Sequence, residues 1–126
     1  ISPSQMLEMK YTLLKPNERD GVPQFICGDM NTPKFDPREY ELMLDIFEAE
    51  DGPPLGRLQY TSDGKLNQLK STPASRGYID YIFLRQNGDE QVQIERYIRQ
   101  PRHPWSETMQ EISDHAAVEG RIWWAE

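Results

Sequence analysis

The run Tyr78-Ile79-Asp80-Tyr81-Ile82-Phe83-Leu84 constrains the fold more than any other segment. Its β-branched and aromatic side chains predict a strand with at least one buried face. Asp80 interrupts that run. Either it lies on a solvated face, or it is buried beside a partner, because an isolated buried charge costs several kcal/mol. A strand of this kind needs a core around it, and 126 residues that are 37% hydrophobic suffice for one domain-sized unit. No apolar run approaches the about 18 residues of a membrane-spanning helix. Cys27 is the single cysteine, which excludes an internal disulfide framework and a cysteine-based zinc cluster. A net charge of −7 disfavours nucleic acid as a partner unless a local basic groove overrides it. Ile1 is not an initiator Met, so a targeting segment would lie upstream and the compartment stays open.

Helix-start chemistry occurs twice. Ser2-Pro3-Ser4-Gln5 combines an N-cap serine, a first-position proline and a capping-box glutamine, predicting a helix to about Leu14 that Lys15-Pro16-Asn17 stops. Asp36-Pro37-Arg38-Glu39 starts a second helix to about Ala49, with Tyr40, Met43 and Phe47 on one face. Between them, Val22 to Cys27 reads as a buried strand, with Cys27 a small inert hydrophobe. Residues 50–75 are rich in Gly, Pro, Asp and Ser and read as loop, apart from a short extended piece at Leu58 to Thr61. Asn87-Gly88 is a turn signal that would pair the Tyr78 strand with Val92 to Ile98. Ala116 to Trp124 alternates as a last strand, which would bury one of Trp123 and Trp124 and leave the other as cover.

Three polar groups fall at strand boundaries. Gly28-Asp29-Met30-Asn31 follows the first strand, so a carboxylate and an amide emerge together at a sheet edge. By themselves Asp and Asn there are ordinary turn residues. Ser113-Asp114-His115 precedes the last strand and offers Asp80 a partner, since a carboxylate against an imidazole fixes its tautomer and raises its basicity. His103, in Arg102-His103-Pro104-Trp105, reads as an exposed loop histidine.

The strand-GDMN, YIDYIF and SDH-strand motifs, in that order from Gly28 to His115, resemble the endonuclease/exonuclease/phosphatase superfamily of metal-dependent phosphoesterases. That resemblance implies an α/β (α+β) fold in which residues 1–126 form the C-terminal half of a four-layer αββα sandwich of DNase-I-like type. The family's first half, with its metal-binding glutamate, would lie outside this chain and be its partner. Glu8 and Glu18 are not at strand ends and read as solvated rather than as substitutes for that glutamate. The implied roles are specific. Asp29 orients the attacking water and assists metal binding, and the Asn31 amide binds a phosphoryl oxygen. His115 is the general base, Asp80 holds its imidazole, and Asp114 helps ligate the metal. Hard oxygen ligands favour Mg²⁺, with Mn²⁺ as the alternative.

Within the superfamily, Tyr60-Thr61-Ser62-Asp63 followed by Asn67 is similar to a pattern of sphingomyelinase-like members. The implied activity is hydrolysis of a phosphoester or phospholipid head group with water as nucleophile, and the chain alone would be inactive. Pro101 to Trp105 lies where secreted sphingomyelinases carry a membrane-dipping aromatic hairpin, so a weak peripheral lipid contact through Trp105 is a secondary expectation. Two other readings are a catalytically silent binding protein on the same scaffold and a nuclease, the latter opposed by the acidic charge.

Overall fold

The fold is described from a computed structural model, over residues 1–88 and 91–124. Both helix starts form as their chemistry dictates. The Ser2 hydroxyl accepts from Gln5 N and the Gln5 side chain accepts from Ser2 N, opening α1 (Pro3–Met9). The chain continues as a π-helical turn at Lys10–Leu14 and a 3₁₀ turn at Lys15–Asn17, so the predicted single helix runs three residues further than expected and changes pitch twice, with Pro16 inside its last turn. Asp36 caps α2 (Pro37–Phe47), whose end is a left-handed Glu48.

The strands are β1 (Gln24–Asp29), β2 (Pro54–Leu55), β3 (Ser62–Asp63), β4 (Arg76–Gly77), β5 (Asp80–Arg85), β6 (Val92–Arg99) and β7 (Ala117–Trp124). β1 pairs antiparallel with β5, β6 lies between β2 and β7, and β3 pairs with β4. The predicted pairing of β5 with β6 does not occur. Leu84 instead exchanges backbone hydrogen bonds with Glu50, which occupies the edge of β5 away from β1. The Asn87-Gly88 segment therefore carries the chain from one sheet to the other. Two side-chain amides hold it: Gln86 bonds both Val92 N and Val92 O, and Asn87 donates to Arg19 O.

β5 separates two cores. Tyr81 and Phe83 pack with Ile26, with Met6 of α1, and with Met43 and Phe47 of α2. On the opposite face, Leu84 and Ile82 meet Val92 and Ile94 of the second sheet. The layers thus run helices, β1–β5, then β2–β6–β7. Gly120 lets the two sheets approach, since a Cβ there would stand 3.2 Å from Ile82 Cδ1 and 3.3 Å from Ile94 Cδ1.

β1 is less buried than its composition predicts. Ile26 faces the helices and is 5% exposed, whereas Phe25 and Cys27 share the face of Ile82 and Leu84 but lie on the outer strand of the pair and are themselves exposed. Cys27 is accordingly exposed, a correction to its expected burial. Trp123 and Trp124 are both exposed for the same reason, at the uncovered end of β7. Glu18 is engaged rather than merely solvated, because its carboxylate accepts from the buried Arg85 at 2.9 Å. Among the described residues no helix is long and apolar enough to cross a membrane. Gly120→Val should overpack the contact between sheets and cost about 1–3 kcal/mol in urea unfolding, without loss of the folded baseline.

Candidate functional site

The site begins with strand register. Asp29 is the last residue of β1 and Asp80 the first of β5, and the antiparallel pairing sets them directly opposite each other. Gly28 has φ 152°, a conformation that L side chains rarely adopt, although a Cβ would meet no neighbour within 4 Å. Glycine is needed there for that backbone conformation, not for space. Met30 then buries into the helix-side core. Asn31 takes a left-handed φ of 50° and donates its N–H to Asp29 Oδ1 at 2.8 Å, closing a turn that asparagine tolerates.

His115 arrives from the other sheet. It lies just before β7, and its Nδ1 is 2.8 Å from Asp80 Oδ2, with the side chains 24% and 17% exposed. Ligand atoms of Asp29, Asp80 and His115 all fall within 4.8 Å of one another. Of the residues singled out in the sequence, these three converge. Asn31 joins through its backbone N–H. Asp114 stands outside the cluster: its carboxylate is 61% exposed and lies 3.8 Å from Lys70 Nζ. His103 is exposed, as its loop position predicts.

The Asp80–His115 pair is held from behind by one hydroxyl. Thr61 is fully buried; its Oγ1 accepts from Ile79 N at 2.9 Å and Asp80 N at 3.2 Å, and its carbonyl accepts from Ala116 N at 2.8 Å. One residue therefore fixes both the start of β5 and the residue after His115. The buried Asn67 adds a second tie, donating Nδ2 to Ser113 O at 2.8 Å. Asp63 folds the loop that carries them by accepting from Nε and Nη2 of Arg76, each at 2.9 Å. These contacts hold the carboxyl of Asp63 below the usual carboxylate range.

Comparison with known proteins adds the frame for this geometry. No family model and no curated protein sequence matches the chain. Solved structures do match. Beta toxin from Staphylococcus aureus superposes with a TM-score of 0.80 over 94% of this chain and 44% of the toxin, at 23% identity. Sphingomyelinase C from Streptomyces griseocarneus gives 0.78 over 98% of this chain and 45% of the enzyme, at 21% identity. An endonuclease/exonuclease/phosphatase family protein from Leptotrichia buccalis gives 0.57 over 90% of this chain and 41% of its own length, at 20% identity. The chain has the DNase-I-like fold that these structures share. The chain spans less than half the length of these structures.

A further beta toxin structure of this fold holds bound magnesium ions. The residues in this chain suit such an ion, since two carboxylates facing each other beside an imidazole offer hard donors and gain from a cation between them. Thr61 and Asn67 carry no chemistry of their own, so the sequence marks them only through the resemblance of Tyr60-Thr61-Ser62-Asp63 and Asn67 to a pattern of sphingomyelinase-like members.

Two tests address this scaffold. Thr61→Val should leave the Ile79 and Asp80 N–H groups without an acceptor and cost about 1–3 kcal/mol for each in chemical denaturation. Thr61→Ser should stay within about 1 kcal/mol of the parent, the worth of one methyl group. Because folding depresses the pKa of Asp63, its contribution to stability is complete above the unfolded carboxylate value and is lost as pH falls through the folded one. Removing the cation with Arg76→Met should therefore move the onset of acid unfolding to higher pH, as followed by circular dichroism.

Proposed function

We propose that this chain is the C-terminal portion of a metal-dependent phosphoester hydrolase, related in architecture to the sphingomyelinase-type enzymes, that uses water as its nucleophile. The observation that carries this reading is the convergence of Asp29, Asp80 and His115, with His115 Nδ1 against Asp80. A carboxylate on Nδ1 stabilises the tautomer that keeps a proton there and leaves Nε2 basic. Nε2 takes a proton from water as the water oxygen bonds to phosphorus and the bond from phosphorus to the leaving oxygen breaks. Asp80 then stabilises the imidazolium that results. Asp29 orients the water, and the Asn31 amide supports a phosphoryl oxygen.

Asp29 would hold Mg²⁺ or Mn²⁺, and Asp114 would join it only by leaving Lys70. When bound, such an ion neutralises charge that develops on the phosphoryl group. The acidic net charge of −7 supports a small phosphoester or a phospholipid head group over a nucleic-acid backbone as substrate. Trp105, which is 58% exposed in the segment before the SDH motif, is the residue that would make a weak peripheral membrane contact.

In the complete polypeptide, His115→Ala should lower phosphodiester turnover by at least about two orders of magnitude. Unchanged turnover would remove His115 from the role of base. Residues 1–126 alone should show little or no hydrolysis in excess magnesium, and addition of the remainder of the domain should restore it.

A further inference from the structure

Away from the acid–imidazole cluster, the same loops build a buried charge network that the hydrolytic reading does not use. Among the described residues Asp51 is its only carboxylate, 1% exposed at the side chain, and it faces two cations. Lys34 Nζ lies 3.4 Å from Asp51 Oδ2, which also accepts from the Tyr40 hydroxyl. Arg96 is fully buried, with Nε 2.7 Å from Asp51 Oδ1. The Arg96 N–H groups are directed instead at Gly52 O, at 3.0 and 2.8 Å, and at the Tyr78 hydroxyl, so Oδ1 gains a nearby charge but no hydrogen-bond donor.

Among the described residues the network carries one more positive charge than negative. Burial pushes the Tyr78 phenol up to about 12 and the Tyr40 phenol further, so neither supplies a second negative charge near neutral pH. Burial also lowers the pKa of the Lys34 ammonium despite Asp51 beside it. A desolvated cation in that position is stabilised by any anion that can reach it. One can reach it, because Lys34 lines an open cleft of about 280 Å³, with Phe35, Leu58, Gln59 and Tyr78 among its walls. The segments that form these walls also carry the candidate site, and backbone hydrogen bonds tie them together: Lys34 N donates to Tyr78 O at 2.9 Å and Met30 N to Ile79 O at 3.0 Å.

We propose that this cleft is a binding subsite for a second anionic group of the substrate, carried on an apolar body, with Lys34 as its counter-charge and Phe35 and Leu58 as its apolar walls. The inference rests on the hydrolase reading and narrows its substrate class. A cationic head group would meet two like charges there, both already seated against the Tyr78 ring. Lys34 Nζ stands 4.9 Å from the Tyr78 ring centroid and the Arg96 guanidinium 5.3 Å from it. Phe35 is engaged edge-on with Tyr60, whose own ring carries Arg76 at 4.2 Å.

Benzenesulfonate, a permanent anion on an apolar ring that cannot be hydrolysed as a phosphoester, is the probe. In NMR titration of the intact protein its shifts should localise to Phe35, Leu58, Gln59 and Tyr78. Lys34→Gln should weaken binding at least tenfold, and His115→Ala should leave it unchanged. Gln59→Glu, which places a negative charge on the exposed rim without touching the buried network, should also weaken it and covers the case in which Lys34→Gln fails to fold. Shifts confined to other residues, or equal affinity in the folded Lys34→Gln or Gln59→Glu protein, would overturn the subsite. A paired assay compares two phosphodiesters with the same leaving group, one bearing an added carboxylate and one a quaternary ammonium. The carboxylate substrate should have the higher kcat/KM, and Lys34→Gln should abolish the ratio; a ratio of one in the parent refutes the proposal. Hydrolysis of neither substrate would sink the hydrolase reading while the benzenesulfonate titration still decides the subsite.

Discussion

Two carboxylates set opposite each other across a pair of antiparallel strands repel, and the architecture of this chain follows from relieving that repulsion. Asp29 and Asp80 occupy the last rung of the β1–β5 ladder, where the register leaves them no way to diverge. The relief comes from another sheet, as His115 places a ring nitrogen on Asp80 just before β7 begins. The second sheet must then pack closely enough to deliver it. Gly120 permits that approach, and Thr61 binds the backbones of β5 and of the segment after His115 to a single side chain and its carbonyl. Remove the close packing, and the imidazole has no fixed relation to either acid.

What the sequence reveals and what it hides divide along the range of the interactions. Ser2 with Gln5 and Asp36 with Pro37 act over three or four residues, so both helix starts are legible from local chemistry. The strand composition of β5, β6 and β7 is legible too, because β-branched and aromatic residues mark it. Partner choice is not. Asn87-Gly88 signals a turn, but whether that turn makes a hairpin or a passage between sheets depends on Glu50 occupying the free edge of β5, more than thirty residues away in the chain. Burial fails in the same way at Cys27 and Trp124, since an apolar residue is covered only where another element is present to cover it.

The candidate site was legible to a similar degree. Asp29, Asp80 and His115 could be proposed because each falls at a strand boundary within a recognisable motif, and the fold brings them together. Asp114 shares the motif of His115, but adjacent residues need not share a destination, and it turns toward Lys70. Nothing in the sequence marks the Asp51–Arg96–Lys34 network. Its members are spread across a helix-preceding loop, a Gly- and Pro-rich stretch and the middle of β6, with no periodicity to connect them. Only the three-dimensional path makes one carboxylate answer to two cations.

The passage between the sheets has a chemical vulnerability of its own. The Gln86 amide imitates one rung of a ladder, giving a hydrogen to Val92 O and taking one from Val92 N. Hydrolysis of that amide to an acid would set a carboxylate oxygen against the carbonyl of Val92, two acceptors with no proton between them at neutral pH. The crossing would then lose a clasp and gain a repulsion through the exchange of a single nitrogen for oxygen, so slow deamidation of an ageing molecule would loosen the seam on which the alignment of its two sheets relies.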